Sequence, residues 1–469
     1  MENLNKPKRK FKSPNAFIIL ISITIICTIM TWIIPAGEFQ KETVESLGRE
    51  VIIPGSYTQI ASTPVTPWGM VQSIYDGFVE AADIIFFVLM AAAYVHVLME
   101  TGALNALAGF LLRILGKRDF LIISVFMFLF GLAGTTFGMY EETYGLIPAF
   151  MVIGITLSYD KIVGGAIVFI GVSTGFAAAI LNPFTIGIAS NIAGIPLMGG
   201  KITIVRIISF ILFEILSIGY VMYYAHKIKK DPTKSVLYGE THTDLENLKS
   251  RDEVLELPFT KEQKISILGF GLLIVCISVG IIKFGFYLKE LAALFLIFMV
   301  ATCLINKMTL NETAEHFVKG CRNALYGTLL IGVARSISVV MTQGNITATT
   351  VNAMANLISA LPKNISGIGM LLIQNLINFF IPSGSGQAVV MMPIMAPLAD
   401  LVGLSREVSV IAFQFGDGFS NMFWPTGVAI ECGIMGIGMD RWYKFITPLF
   451  LMMFGLQCLI IIASIALGV

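Results

Sequence analysis

Charge is what this 469-residue sequence has least of: 13% of its residues are Asp, Glu, Lys or Arg, where soluble domains run near a quarter. With 56% hydrophobic residues and a mean hydropathy of +0.83, a soluble globular chain is excluded and a polytopic membrane protein is read in its place. The net charge of +1 denies the chain the basic footprint of a nucleic-acid binder, so no nucleic-acid partner is expected. Only four histidines occur, with no HExxH helix and no cofactor fingerprint, which leaves a membrane enzyme without a nucleophile–base set or metal ligands. The six cysteines, Cys27, Cys276, Cys303, Cys321, Cys432 and Cys458, are scattered through apolar runs with no CxxC pair. They read as small packing residues, not as a disulfide frame or a metal site.

What charge there is stands segregated. Lys6-Pro7-Lys8-Arg9-Lys10 opens the chain and places that end in the cytoplasm by the positive-inside rule. The apolar run that follows is too long for a signal-peptide core, and the residues after it lack a small-x-small cleavage site, so it is a retained span. The chain divides into an N-terminal span and external loop (1–82), a first repeat (83–226), a cytoplasmic linker (227–264), two scaffold spans with an amphipathic segment (265–323) and a second repeat (324–469). The repeats are read from punctuation at near-constant offsets. Gly102 and Gly344 are 242 residues apart, Pro148 and Pro393 245, Gly175 and Gly418 243, and Pro183 and Pro425 242.

Each repeat holds an interrupted hairpin (120–159 and 365–400) and a broken helix (162–199 and 403–437). In the first hairpin, Phe120–Phe137 and Leu146–Tyr159 carry no charge and reach about 27 Å and 21 Å at the helical rise. Between them stand two adjacent carboxylates, Glu141 and Glu142, followed by Thr143. Ionisable groups so placed are costly and mark function. The second hairpin carries Ser383, Gly384, Ser385, Gly386 and Gln387 at its tip. The breaks hold Asn182, Pro183 and Thr185 in one repeat and Asn421, Pro425 and Thr426 in the other. Proline removes an interior helical hydrogen bond, and Asn or Thr can satisfy the freed groups. If both hairpins re-enter the membrane, the basic residues Lys161, His226 to Lys230, Arg441 and Lys444 all fall inside. The expected fold is therefore an all-α polytopic membrane protein of inverted repeats, with about nine full spans and two re-entrant hairpins. Such paired interruptions are the sequence pointer to a secondary-transporter site.

Trp32-Ile33-Ile34-Pro35-Ala36-Gly37-Glu38-Phe39, Met99-Glu100-Thr101-Gly102-Ala103, Gly332-Val333-Ala334-Arg335 and Pro382-Ser383-Gly384-Ser385-Gly386-Gln387 resemble the YfcC family over essentially the whole chain. That family is grouped with anaerobic dicarboxylate carriers and ArcD-like arginine/ornithine exchangers in the ion transporter superfamily. The resemblance implies a homodimer in a bacterial cytoplasmic membrane, with a scaffold and a moving transport domain. Its members are described as basic amino acid antiporters or as dicarboxylate carriers. This chain has Glu141-Glu142-Thr143 where better-known superfamily members carry Ser-Asn-Thr, which puts a sodium site at that tip in doubt.

The balance of deep charges discriminates among substrates. Glu141, Glu142, Glu214, Asp417 and Glu431 face one central base, Arg335, an excess of carboxylates that suits a cation. The expected solute is a basic amino acid exchanged by elevator-like alternating access. Its carboxylate would lie on a helix N-terminus or Arg335, and its amine and basic head on Glu141, Glu142 or Asp417. Glu214 is expected to pair with a neighbour such as Arg206 or to carry protons, and Glu431 and Arg335 to serve coupling or gating. No cofactor is expected; a coupling H⁺ or Na⁺ stays open, as does a coupled dicarboxylate carrier as the alternative. A channel fits less well, because the polar residues cluster instead of lining a continuous path.

Overall fold

The computed structural model describes residues 15–44, 49–115, 118, 120–239, 256–359 and 361–469. The basic cluster 6–10, Lys117 and the linker stretch 240–255 lie outside the described residues. The first helix, α1 (Ala16–Ile33), begins at Asn15, whose side chain accepts from the Phe17 N–H. The segment after it, where a loop is expected, carries some regular structure. Two short antiparallel ladders form there, Gly37–Glu38 with Thr58–Gln59 and Lys41–Val44 with Arg49–Ile52. Strands of two to four residues are too short to leave a readable alternation.

The first half continues through α2 (Pro67–Glu80), α3 (Ala82–Glu100), α4 (Ala103–Leu115), α5 (Phe120–Phe137), α6 (Ile147–Thr156), α7 (Lys161–Ala177), α8 (Ile188–Ala193) and α9 (Gly200–Lys230). Two helices, α10 (Lys261–Val279) and α11 (Leu288–Ile305), separate the halves. The second half runs α12 (Leu310–Gln343), α13 (Ile346–Ser359), α14 (Lys363–Phe380), α15 (Gly384–Leu401), α16 (Arg406–Ser420), α17 (Pro425–Met435) and α18 (Met439–Ala466). The order matches element by element. The broken helices of both halves stop at a glycine in the left-handed region, Gly194 at φ 69° and Gly436 at φ 61°, as a helix C-terminus favours.

Eight of the described helices are long and apolar enough to cross a membrane. The chain is thus the all-α polytopic membrane protein read from its sequence, its breaks and hairpins sitting where proline and glycine punctuate it. The 10-residue α6 is about 15 Å long and spans only half of a ~30 Å hydrocarbon core. One expectation is corrected: the amphipathic piece at 306–323 is not a separate segment. It is the first half of α12, a single 34-residue helix opened by a Thr309–Glu312 capping box. In the first half the matching stretch is cut once, at Ala81, into α2 and α3. Both pieces pack along α12, so the two halves meet through equivalent elements.

Every residue of α7 is buried, and α16 is buried from Val408 to Ser420. These two buried helices, which carry Lys161, Gln414 and Asp417 among their apolar residues, form the centre, each packed against the arms of its own hairpin. Small residues set how closely the helices approach. A Cβ on Gly175 of α7 would lie 1.8 Å from the Gly131 carbonyl oxygen of α5, and one on Gly134 would lie 2.4 Å from the Val172 carbonyl oxygen. With no hydrophobic force between helices in lipid, such backbone contact is a main source of association.

Candidate functional site

A cavity of about 360 Å³ opens between the two halves, within the usual range for small-molecule sites. One wall comes from α2, α3, α11 and α12: Glu80, Asp83, Tyr287 and Arg335. The other comes from the hairpin tips and breaks: Glu141 and Glu142, Ser383 to Ser385, Thr185, Asn421 and Thr426. Glu80, Asp83 and Tyr287 are exposed and form the rim, while Glu142, Thr185 and Thr426 are buried at the floor. Four carboxylates and one guanidinium therefore face the same space.

The first tip is built by a change of helix type. α5 ends at Gly138, held at φ 75°, where a Cβ would strike the Asn182 side chain at 2.2 Å. The chain then makes a 3₁₀ turn, Glu141–Leu146, before α6. Glu142 folds back on this turn, its Oε2 accepting from the Tyr140 N–H at 2.8 Å. Glu141 has no such backbone bond, lies near Tyr287 and Arg335, and is the more available carboxylate. Thr143 faces away from the cavity and donates its hydroxyl to the Tyr140 carbonyl at 2.6 Å.

The second tip enters its helix directly. Ser383 caps α15, its Oγ accepting from the Gly386 N–H at 3.3 Å. Gln387, which repeat symmetry matches to Glu142, is turned out of the cavity. Its amide donates to the Gln374 carbonyl at 3.0 Å and to Gln374 Oε1 at 2.7 Å. Gly384 lies where a Cβ would meet Thr185 Cγ2 at 2.5 Å and Asp417 Oδ2 at 2.9 Å. Hence Asp417 sits behind the tip, fully buried, and does not line the cavity. Its neighbourhood is polar: Asn378 Nδ2 donates to the Asp417 carbonyl, to Ser420 Oγ and to Asn421 Oδ1, at 2.7 to 3.1 Å.

Contacts between the tips and the breaks are reciprocal across the halves. Tip two lies on Thr185 of the first break. Tip one reaches α17 of the second half, where Tyr144 donates to Glu431 Oε1 at 3.0 Å. Glu431 is therefore a buried anchor one residue behind Ile430 of the cavity wall. Asn182 caps the π-helical turn Pro183–Gly187, its side chain accepting from the Phe184 N–H. Thr185 Oγ1 is fully buried with no hydrogen-bond partner among the described residues. Of the residues predicted from sequence, Asn182, Pro183, Gly386 and Pro425 shape the tips and breaks without lining the space.

The expected Glu214–Arg206 pair does not form. The two are eight positions apart on α9, about 12 Å along its axis. Arg206 donates to the Leu197 carbonyl and, at 3.3 Å, to Ser190 Oγ. The Glu214 carboxyl lies against Gly131 of α5 and is not among the residues that line the cavity. Arg335 is held by Glu80, its Nε donating to Oε2 at 3.0 Å. Sequence reasoning missed Glu80, Asp83, Tyr140, Tyr144 and Tyr287. The signal available was the acidic i, i+3 pair Glu80 and Asp83 at the start of an apolar run. An ordinary span edge carries the same mark.

The DcuC family model, described as C4-dicarboxylate anaerobic carrier, matches residues 13–466. An uncharacterized protein of Haemophilus influenzae Rd is 29% identical over 99% of this chain and 98% of its own. A protein of Escherichia coli K12, YfcC, is 28% identical over 99% of this chain and 98% of its own; its name describes it, provisionally, as a basic amino acid antiporter. Among solved structures, the YdaH transporter of Alcanivorax borkumensis aligns over 97% of this chain and 99% of its own, at 16% identity and TM-score 0.42. MtrF of Neisseria gonorrhoeae, described within a class of antimetabolite efflux pumps, aligns over 97% and 96% at 16% identity and TM-score 0.41.

Proposed function

We propose that this chain, which belongs to the C4-dicarboxylate anaerobic carrier family DcuC, is a secondary transporter that exchanges basic amino acids such as arginine and ornithine. The observation that carries this reading is the sign of the cavity. Glu80, Asp83, Glu141 and Glu142 line it against Arg335 alone, and Arg335 is already paired with Glu80. Two like charges 6 Å apart repel by about 3 kcal/mol at an effective dielectric near 20. A dianion entering this space meets several such terms, whereas a guanidinium or ammonium group meets the reverse. The rings of Tyr140, Tyr144 and Tyr287 line the same space and suit a cation further.

In this reading Glu141 takes the basic head group and Glu142 shapes the tip that presents it. The hairpin tips move with the transport half, and the cavity is exposed alternately to each side. The N-terminus stays cytoplasmic in a bacterial inner membrane, and the homodimer implied by the resemblance belongs to the same picture, as does transport without catalysis. Coupling is assigned to exchange itself, with no Na⁺ needed at the acidic first tip. The family description supports the second reading, a dicarboxylate carrier, whose dianion would use Arg335 and the Ser383–Ser385 helix start.

Binding to the purified protein separates them. Arginine, ornithine and lysine are expected to raise its melting temperature in detergent, and succinate and fumarate to leave it unchanged. Stabilisation by the dicarboxylates alone would replace the first reading with the second.

A further inference from the structure

The Arg335–Glu80 pair is built into the closest approach of two helices. A Cβ on Gly77 of α2 would lie 2.5 Å from the Gly332 carbonyl oxygen of α12, and one on Gly332 would lie 2.3 Å from the Phe78 ring. Arg335 and Glu80 each stand three residues after the glycine of that crossing. Here α2 and α12 touch backbone to backbone, so the two charges are presented from a fixed base. The pair is not sealed: the arginine side chain is 38% exposed and the glutamate 47%, and both line the cavity. Glu80 is the only hydrogen-bond partner of Arg335 among the described residues, and it engages Nε. The two terminal nitrogens of the guanidinium are left to bind elsewhere, and a guanidinium offers five N–H donors in a planar fork suited to a carboxylate.

We infer that this ion pair is the receptor for the α-amino and α-carboxylate groups of the solute, and so the element that selects amino acids over simple diamines. The inference rests on the reading of the cavity as a site for basic amino acids. A zwitterionic α-carbon carries one positive and one negative group side by side, the same two charges as the pair itself. Its carboxylate takes the arginine fork and its ammonium takes Glu80. One ion pair becomes two, and no charge is left unmatched. A diamine brings nothing to Arg335 and competes with it for Glu80. A dicarboxylate would expel Glu80 into a space that Asp83 and Glu141 already make negative. With the α-carbon fixed on this wall, a basic side chain extends across the cavity toward Glu141 and the tyrosines. The pair thus measures one end of the solute and the first hairpin tip the other.

Arginine and agmatine form the decisive comparison, because agmatine keeps the guanidinium and the amine but lacks the carboxylate. In competition against labelled arginine bound to wild-type protein, arginine is expected to outcompete agmatine by about tenfold or more, the weight of a charge-assisted bidentate contact. Arg335→Gln should weaken arginine by a similar factor and spare agmatine, so the preference shrinks to within about threefold. Glu80→Gln should also weaken arginine, through its ammonium. An unchanged arginine-to-agmatine ratio in Arg335→Gln overturns the inference. If that variant does not fold, Arg335→Lys keeps the charge and loses the fork, and must itself show the reduced ratio or the inference falls. Wild-type protein that binds both compounds equally also overturns it while leaving the cation reading intact. Wild-type protein that binds neither overturns the reading on which it rests.

Discussion

Glu141→Gln is expected to weaken arginine and ornithine by about 10- to 150-fold while leaving the fold intact. Glu141 lines the cavity and, unlike Glu142, makes no hydrogen bond to the backbone of its own turn. Glutamine keeps the shape and removes only the charge. A hydrogen bond to a charged group contributes about 1.5–3 kcal/mol, which converts to that range of affinity. Glu142→Gln should cost less, because an amide oxygen can still accept from the Tyr140 N–H and the turn survives. Equilibrium binding of labelled arginine to the two variants reads the difference. Equal losses would mean that the tip acts as one acidic unit, and no loss at Glu141 would remove it from the site.

The second large effect concerns folding. Gly175→Ala is expected to destabilise the protein by about 3 kcal/mol or more, at the upper end of overpacking costs. The added carbon would lie 1.8 Å from the Gly131 carbonyl oxygen and 2.5 Å from its carbon. These are backbone atoms of a helix packed along its length against α7, so relief requires the helices to part. Gly219→Ala on α9 is the control, since nothing lies within 4 Å of its added carbon. It should be neutral or stabilising by up to about 1 kcal/mol from helix propensity. Melting temperatures of the two variants in detergent check the contrast. A Gly175→Ala protein as stable as wild type would contradict the packing of α5 on α7.

Much of the architecture was legible because membrane helices announce themselves by composition and their interruptions by proline and glycine. Pro183 and Pro425 open the second pieces of the two broken helices, at the positions their 242-residue offset singled out. Burial was legible too: Glu142, Asp417, Glu214 and Glu431 are all buried within the protein. Facing was not. An isolated carboxylate in an apolar run shows that it is costly, not which side of its helix it occupies. Asp417 thus turned out to lie behind Gly384, Glu431 behind Ile430, and Glu214 against Gly131, while only Glu141 and Glu142 of the deep acids line the cavity. Of the scaffold wall only Arg335 was legible, and its neighbours were missed for a different reason. Glu80 and Arg335 are separated by more than half of the chain, and they meet through a glycine crossing that no local pattern marks. The amphipathic reading of 306–323 failed because polar residues in the first half of α12 looked like a surface segment, although the helix continues unbroken to Gln343.

Counterflow in proteoliposomes tests the central claim, that an acidic cavity between the halves carries basic amino acids in exchange. Vesicles loaded with unlabelled ornithine or arginine should accumulate labelled arginine transiently, with or without Na⁺, and vesicles loaded with succinate or fumarate should not. Accumulation of labelled succinate driven by internal dicarboxylate, with no response to arginine, would contradict it.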